Sequence, residues 1–287
     1  MSLSPGDRVA DRFSVVEVLG RGGMSTVYRA RDEQLGRQVA LKVFAPGTET
    51  RLSEGRMLAS LQHPAIVTIL DSGESAGLAF VVMQLVEGED LGAALERGPM
   101  PIEAVLAMAA DIAAALAVAH AAGVVHRDVK PGNILLPAVR EAGMPSALLG
   151  DFGIAHLHDE PTLSSDGTIL GTAAYLSPEQ TRGQRAVPAS DVYALGLVVL
   201  EAVTGEPAFP GAPLDTLAER VAHAPRVGGE MPWELHELLR EMTALDAARR
   251  PAAAEVCRRL RAIDPAGSSA PAPTQPLPAV VLPEPAA

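Results

Sequence analysis

Residues 124–136 constrain the fold more than any other stretch: Val124-Val125-His126-Arg127-Asp128-Val129-Lys130-Pro131-Gly132-Asn133-Ile134-Leu135-Leu136. Apolar runs on both sides force a turn there. Into that turn go a carboxylate, a lysine two residues on and an asparagine five residues on. Together these groups can take a proton from a hydroxyl, neutralise a phosphoryl group and offer an amide oxygen to a hard cation. Eighteen residues after Asn133, Asp151-Phe152-Gly153 adds a second carboxylate on a Gly-flanked turn. Two hard oxygen ligands suit Mg²⁺, which keeps water and substrate phosphates as its other ligands. On residue types alone, a polar surface loop followed by an ordinary turn is the other reading.

The segments around this cluster change period along the chain. Phe13–Leu19, Val27–Ala30, Gln38–Phe44 and Leu78–Leu85 are short apolar stretches bounded by turn residues, which predicts strands. Arg51–Leu61 has apolar residues at Leu52, Met57, Leu58 and Leu61, a helical spacing stopped at His63-Pro64. From Leu91 the pattern is helical. Pro101 opens a long helix that Gly123 ends, and Ala189–Thr204, Trp233–Leu245 and Ala252–Ala262 are further helices. The expectation is an α+β chain, a small β-rich lobe over about 10–85 followed by a larger helical lobe over about 87–263. Residues 265–287 are dominated by Pro, Ala and Ser without any period, which predicts a disordered, Pro/Ala-rich tail.

Two upstream features can work on an anion. Leu19-Gly20-Arg21-Gly22-Gly23-Met24-Ser25-Thr26-Val27 is a Gly-rich turn between two predicted strands. Without Cβ atoms in the way, its amides can approach a phosphate, although a plain hairpin turn has the same signature. A strand rather than a helix follows, which disfavours a Rossmann site. Fifteen residues after Val27, Lys42 stands in Val39-Ala40-Leu41-Lys42-Val43, sharing a strand face with Ala40 and Phe44. It is either an edge-strand lysine facing water or a cation held over a ligand, with Glu54 available to fix it.

Composition excludes several functions. With 23 Lys+Arg against 35 Asp+Glu the formal charge is −12, the wrong sign for a phosphate-backbone binder. Aromatics at 3 % leave little to stack on unpaired bases. Cys257 stands alone, so no disulfide framework exists, and a reducing, cytoplasmic setting is expected. The alanine-rich Ile102–Val125 is interrupted by Asp111, His120 and Gly123, and reads as a buried helix rather than a membrane span. The first residues show no secretion signal. Gly73-Glu74-Ser75-Ala76-Gly77 matches a hydrolase nucleophile elbow, but a strand follows where that motif needs a helix, so a hairpin turn is expected. His156 and His158, two apart on a loop, are read as solvent-facing.

Taken in order, the Gly-rich loop, strand lysine, His126-Arg127-Asp128 loop, Asp151-Phe152-Gly153 and Ser177-Pro178-Glu179 resemble the signature set of protein kinases. The first loop and Gly171-Thr172-Ala173-Ala174-Tyr175-Leu176-Ser177-Pro178-Glu179-Gln180 are most similar to bacterial serine/threonine kinases of the eukaryotic (Hanks) type. The resemblance covers about 10–263 and implies a bilobal kinase fold.

It also implies roles. Asp128 takes the substrate's hydroxyl proton, Lys130 stabilises the transferring phosphoryl group, and Lys42 bridges two phosphates of ATP while paired with Glu54. Asn133 and Asp151 hold Mg²⁺ or Mn²⁺. ATP lies against Leu19, Gly20, Gly22, Gly23, Ser25, Val27 and Ala40, with Met83 as gatekeeper and the backbone of Gln84 and Val86 on the base. Asp191 braces the catalytic loop, and Glu179 pairs with Arg250. Lys130 and Thr172 match the serine/threonine rather than the tyrosine pattern. Arg127 implies regulation by a phosphorylated loop, with Thr162, Ser164, Ser165 and Thr168 as acceptors. The family's usual threonine pair falls on Ser164 and Asp166, a departure that makes one position permanently anionic. Ser25 replaces a third glycine, and the Asn133–Asp151 interval is about five residues longer than usual, which predicts a longer surface hairpin at 137–145. Protein substrates, phosphothreonine-reading domains and a transient homodimer through the small lobe are the implied partners. A pseudokinase, a nucleotide-binding or scaffolding module without turnover, is the alternative, disfavoured by the presence of Lys42, Asp128, Asn133 and Asp151.

Overall fold

The computed structural model describes residues 3–23, 25–46, 61–139, 143–151, 174–210 and 213–266, the side chains of 213–217 excepted. The predicted helix at 51–61 (Leu61 apart), the loop histidines and most of the Pro/Ala-rich tail lie outside them.

The small lobe is one antiparallel sheet of β1 (Arg8–Val9), β2 (Phe13–Arg21), β3 (Ser25–Asp32), β4 (Arg37–Phe44), β5 (Ile69–Ser75) and β6 (Leu78–Gln84). Its order is β1-β2-β3-β4-β6-β5, which makes β4 an internal strand. Lys42 pairs with Val27 of β3 on one side and Val81 of β6 on the other. An edge-strand lysine is thereby excluded. The Gly73–Gly77 segment forms the predicted hairpin turn: Ala76 and Gly77 both have positive φ, 51° and 74°, as a two-residue turn matched to strand twist requires. Phe13, Val15, Tyr28, Ala30, Val39, Leu41, Phe80 and Val82 bury one face of the sheet. Its other face, with Ala40, Phe44, Val81 and Met83, turns toward the large lobe.

A three-stranded sheet follows, β7 (Gly88–Asp90), β8 (Ile134–Pro137) and β9 (Leu148–Leu149), in the order β7-β8-β9. The β8–β9 connection carries the extra residues, with Val139 and Met144 well exposed, as a lengthened surface hairpin would have them. Helices α1 (Leu91–Leu95), α2 (Ile102–Ala121), α3 (Pro178–Thr181), α4 (Pro188–Thr204), α5 (Pro213–Ala222), α6 (Trp233–Met242) and α7 (Ala253–Ala262) complete the large lobe. Of the described helices, α2 is the one long and apolar enough to cross a membrane. Here it packs against α7, α4 and β9, and Val105, Met108, Ile112 and Leu116 are buried in the largest apolar cluster. Its alanines let neighbouring helices approach closely. Gly196 does the same for α4, since a Cβ there would meet Thr243 Cγ2 at 2.8 Å.

One buried ion pair ties α3 to the rest of this lobe. Arg250 Nη1 and Nη2 donate to Glu179 Oε1 and Oε2 at 2.7 and 2.9 Å, and Ser190 Oγ donates to Oε1 at 2.6 Å. The guanidinium also reaches the carbonyls of Ala189 and Ala244 and lies 4.8 Å from the centre of the Tyr193 ring. Burial alone would raise the Glu179 pKa, but the bonds from Arg250 and Ser190 outweigh it and hold it down at about 2. A depressed carboxyl stabilises the fold fully above its ordinary value of 4.5 and stops doing so as pH falls toward about 2. Denaturant unfolding at a series of pH values should show a loss on the order of 3 kcal/mol across that window. Glu179→Gln should flatten this part of the pH profile while lowering stability at neutral pH, and equal slopes in the two proteins would disprove the assignment.

Candidate active site

The loop from His126 to Asn133 runs between α2 and β8, and its backbone does not hold itself. Arg127 has φ 71°, a left-handed conformation that side chains with a Cβ rarely adopt. Asp191, fully buried in the first turn of α4, supplies the compensation. Its Oδ2 accepts from the His126 amide and its Oδ1 from the Arg127 amide, both at 2.8 Å. His120, near the end of α2, donates Nε2–H to Oδ2 at 2.8 Å. Gln180 of α3 donates Nε2–H to the Arg127 carbonyl at 3.1 Å, which fastens the loop to the segment beyond. The His126 ring secures the next turn, with Nε2 donating to the Gly150 carbonyl at 2.9 Å and Nδ1 facing the Asp128 amide at 3.3 Å. One tautomer serves both bonds.

Within this frame the three polar side chains of the loop converge. Lys130 Nζ donates to Asp128 Oδ2 at 2.7 Å. Asn133 Nδ2 donates to the Asp128 carbonyl at 2.8 Å and to Oδ2 at 3.1 Å. Asp128 and Asn133 are buried, at 8 % and 6 % exposure, so the surface-loop reading fails. With the Asn133 amide nitrogen committed to Asp128, its oxygen is the end left to accept or to ligate. Gly150 donates its N–H to the Asn133 carbonyl at 2.8 Å, which sets Asp151 beside it. Asp151 has φ 54°, a second left-handed residue at the site.

The roof comes from the small lobe. Lys42 Nζ donates to Asp151 Oδ1 at 2.7 Å and lies 5.7 Å from the centre of the Phe44 ring. The sequence reading pairs Lys42 with Glu54, which lies outside the described residues; the ion pair observed joins it to Asp151. The Gly-rich turn closes with Gly22 N–H donating to the Ser25 carbonyl at 2.8 Å, a hairpin turn between β2 and β3. Leu19 is exposed at the end of β2, and Gly20 pairs with Val27. Gly23 is exposed at the bend between these strands.

Behind the cation lies an apolar slot. Ala40 and Met83 are partners across β4 and β6, and they pack with Val27, Val67, Val86, Leu135 and Leu148. Gln84 N–H donates to the Thr68 carbonyl at 2.9 Å. Leu135 and Leu148 face this slot from the large lobe, a contribution the sequence reading did not foresee. The alternation of β8 past Asn133 could have suggested Leu135, but only the fold brings it under Ala40. The acceptors Thr162, Ser164, Ser165 and Thr168, with Thr172, lie outside the described residues.

A two-lobed molecule whose cleft holds a buried carboxylate–lysine–asparagine cluster beneath a strand lysine and an apolar slot is built as a protein kinase. The family described as protein kinase domain matches residues 13–260, and the chain belongs to it. Curated relatives include serine/threonine-protein kinase PknA of Mycobacterium tuberculosis, 38 % identical over 265 residues, which is 88 % of this chain and 60 % of PknA. Serine/threonine-protein kinase PknL of the same species is 42 % identical over 252 residues, 83 % of this chain and 62 % of PknL. The chain thus spans about three-fifths of the length of these relatives. Among solved structures, the PknI kinase domain of M. tuberculosis superposes with a TM-score of 0.67 at 26 % identity, covering 91 % of this chain and 99 % of that one.

Asp191 is buried with three donors on it, so its removal should be costly. Asp191→Ala should lower stability by about 3 kcal/mol or more, because two buried amides lose a charged acceptor. Asp191→Asn, which keeps one acceptor oxygen, should lose less. Thermal melts of the three proteins check the ranking; an Asp191→Ala protein as stable as wild type would contradict it.

Proposed function

We propose that this chain transfers the terminal phosphoryl group of ATP to serine and threonine hydroxyls of proteins. The observation that carries the reading is the pair of opposed charges, Lys42 and Asp151 at 2.7 Å, set above Asp128 with Lys130 and Asn133 on its Oδ2. A transferring phosphoryl group needs little covalent help and much positioning and charge neutralisation, and this cleft offers both.

Asp128 orients the acceptor hydroxyl and takes its proton as oxygen bonds to the γ-phosphorus and ADP departs. Lys130, already bonded to Asp128, lies where charge accumulates on the moving group. Lys42 holds the remaining phosphates, and the slot of Val27, Ala40, Met83, Val86 and Leu135 receives the base, with backbone groups of Gln84 and Val86 at its edge. The amide oxygen of Asn133 and the carboxylate of Asp151 make a hard-oxygen donor pair that fits Mg²⁺ or Mn²⁺. A divalent ion bound there would neutralise phosphate charge. Asp191, through the loop amides, and Glu179 with Arg250, through α3, act on structure rather than on substrate. The activation loop is proposed to be a substrate itself, at Thr162, Ser164, Ser165 or Thr168, with Arg127 receiving the phosphate. Phosphothreonine-reading domains and a transient small-lobe dimer complete the family-based expectation, and the lone, buried Cys257 suits the cytoplasm.

Radiolabelled ATP with Mg²⁺ and a protein substrate tests the enzyme against the scaffold reading. Asp128→Asn should lower kcat by ~10²–10⁴-fold, the usual contribution of a positioned base. Lys42→Met should lower it by ~10²-fold or more. Labelling that is the same in wild type and both variants would leave a nucleotide-binding module. Phosphopeptide mass spectrometry after incubation with ATP should find phosphate between residues 160 and 172 in wild type and none in Asp128→Asn; an unmodified wild-type loop refutes autophosphorylation there.

A further inference from the structure

Two residues beyond Val27 on β3, Arg29 stands at the edge of the apolar slot. Its register partners are Glu17 of β2 and Ala40 of β4, and Ala40 in turn pairs with Met83 of β6. Residues directly opposite one another share a face of the sheet, so Arg29 lies in the same row as two residues that roof the slot. Its side chain is largely covered, with 21 % exposed. Nε lies 2.8 Å from Glu17 Oε1, and Nη1 donates to Gln38 Oε1 at 2.8 Å. The fork also reaches beyond the sheet. Nη1 and Nη2 donate to Glu87 Oε1 and Oε2 at 2.6 and 3.0 Å, a bidentate pair.

Glu87 belongs to the hinge, the connection from β6 to β7 where the chain leaves the small lobe, and it follows directly on Val86 of the slot. Its backbone is fixed to the large lobe. The Glu87 carbonyl accepts from the Ala138 amide at 2.8 Å, and Gly88 beside it pairs with Pro137 of β8. A Cβ on Gly88 would run into the carbonyl oxygen of Leu136, so this close approach needs glycine. The main chain of Glu87 is thus held from one lobe and its carboxylate from the other. A lone exposed ion pair contributes little, but this one is bidentate and shares its guanidinium with a second carboxylate. Besides Lys42 with Asp151, a second ion pair therefore joins the lobes around the slot, this one at the hinge.

We propose that Arg29 and Glu87 form a latch between β3 and the hinge that slows release of a nucleotide from the slot. The inference rests on the kinase reading above and adds to it a determinant of nucleotide residence. Val27 and Val86 line the slot from the two elements that the pair joins, so the latch sets their spacing. A base that leaves the slot needs strand and hinge to part, and parting them stretches the charge pair. Both are positioning residues that touch no reacting atom. Their loss should appear in the nucleotide release rate and not in the phosphoryl-transfer step.

Stopped-flow fluorescence of N-methylanthraniloyl-ADP with Mg²⁺, displaced by excess ADP, provides the test. Arg29→Met and Glu87→Ala should each release the probe about threefold faster than wild type, the scale of an exposed but well-formed ion pair. The double variant should release it no faster than either single one, since both substitutions remove the same contact. The gap between wild type and variants should close as NaCl rises from about 0.05 to about 0.5 M, because screening weakens the pair in wild type alone. Single-turnover transfer from saturating ATP should stay within about twofold of wild type throughout. Unchanged release in either single variant overturns the latch, as do single effects that multiply in the double variant or a gap that salt leaves intact. A wild type that binds no N-methylanthraniloyl-ADP rejects the nucleotide reading of the cleft instead, and this proposal with it.

Discussion

A single buried carboxylate carries the catalytic loop. Asp191 accepts from two consecutive backbone amides and from His120, joining α4, α2 and the loop at one point. Without those bonds the left-handed Arg127 would relax, since such a conformation costs ~1–3 kcal/mol and persists only where the surroundings over-determine it. Its place in the first turn of α4 helps, because a carboxylate there meets the positive end of the helix. Everything that follows in the loop inherits this geometry. His126 can reach Gly150 only if its backbone is held, and Gly150 in turn sets Asp151 beside Asn133.

The opposite wall of the cleft depends on topology rather than on one bond. Lys42 could not be aimed inward from an edge strand, where solvation of the ammonium would win. Between β3 and β6 its backbone is fixed on both sides, and its side chain is directed toward Asp151. The ion pair bridges residues 109 apart in sequence. It spans the two lobes, so this pair of charges is assembled only when both lobes are folded and apposed. The apolar slot repeats the logic, with Ala40 and Met83 above and Leu135 and Leu148 below.

What could be read from the sequence follows from this division. Motifs in which a few neighbouring residues share one task, such as Asp128, Lys130 and Asn133, were legible because their spacing is local. The long helix at Ile102–Ala121 was legible because Pro101 and Gly123 punctuate it. The internal position of β4 was not, since strand order depends on pairing with β6 some forty residues later. Nor was the role of Leu135, an ordinary apolar residue until β8 is laid beneath the sheet. Helix α5 went unread although Leu214, Leu217 and Val221 recur at a helical spacing and its length matches that of α6 and α7. His120 read only as an interruption in an apolar stretch; its partner is 71 residues away.

The strip from Ala174 to Arg182 shows how far such long-range bonds can go. Helix α3 has four residues, far below the length at which a helix sustains itself in water. Its capping box, Ser177 with Gln180, and Pro178 in the first turn favour the conformation locally. They do not fix where it lies. That is done from outside by Arg250 on Glu179, Gln180 on the catalytic loop, Arg182 on α5, and Arg220 and Glu201 on the two residues at its entrance. Three of those five ties use arginine, whose planar fork can hold a carboxylate or a carbonyl in a set direction where lysine would swivel. Segments with little secondary structure of their own are usually soft. This one is tied at both ends to helices α4 and α5 and, through Gln180, to the loop that carries Asp128.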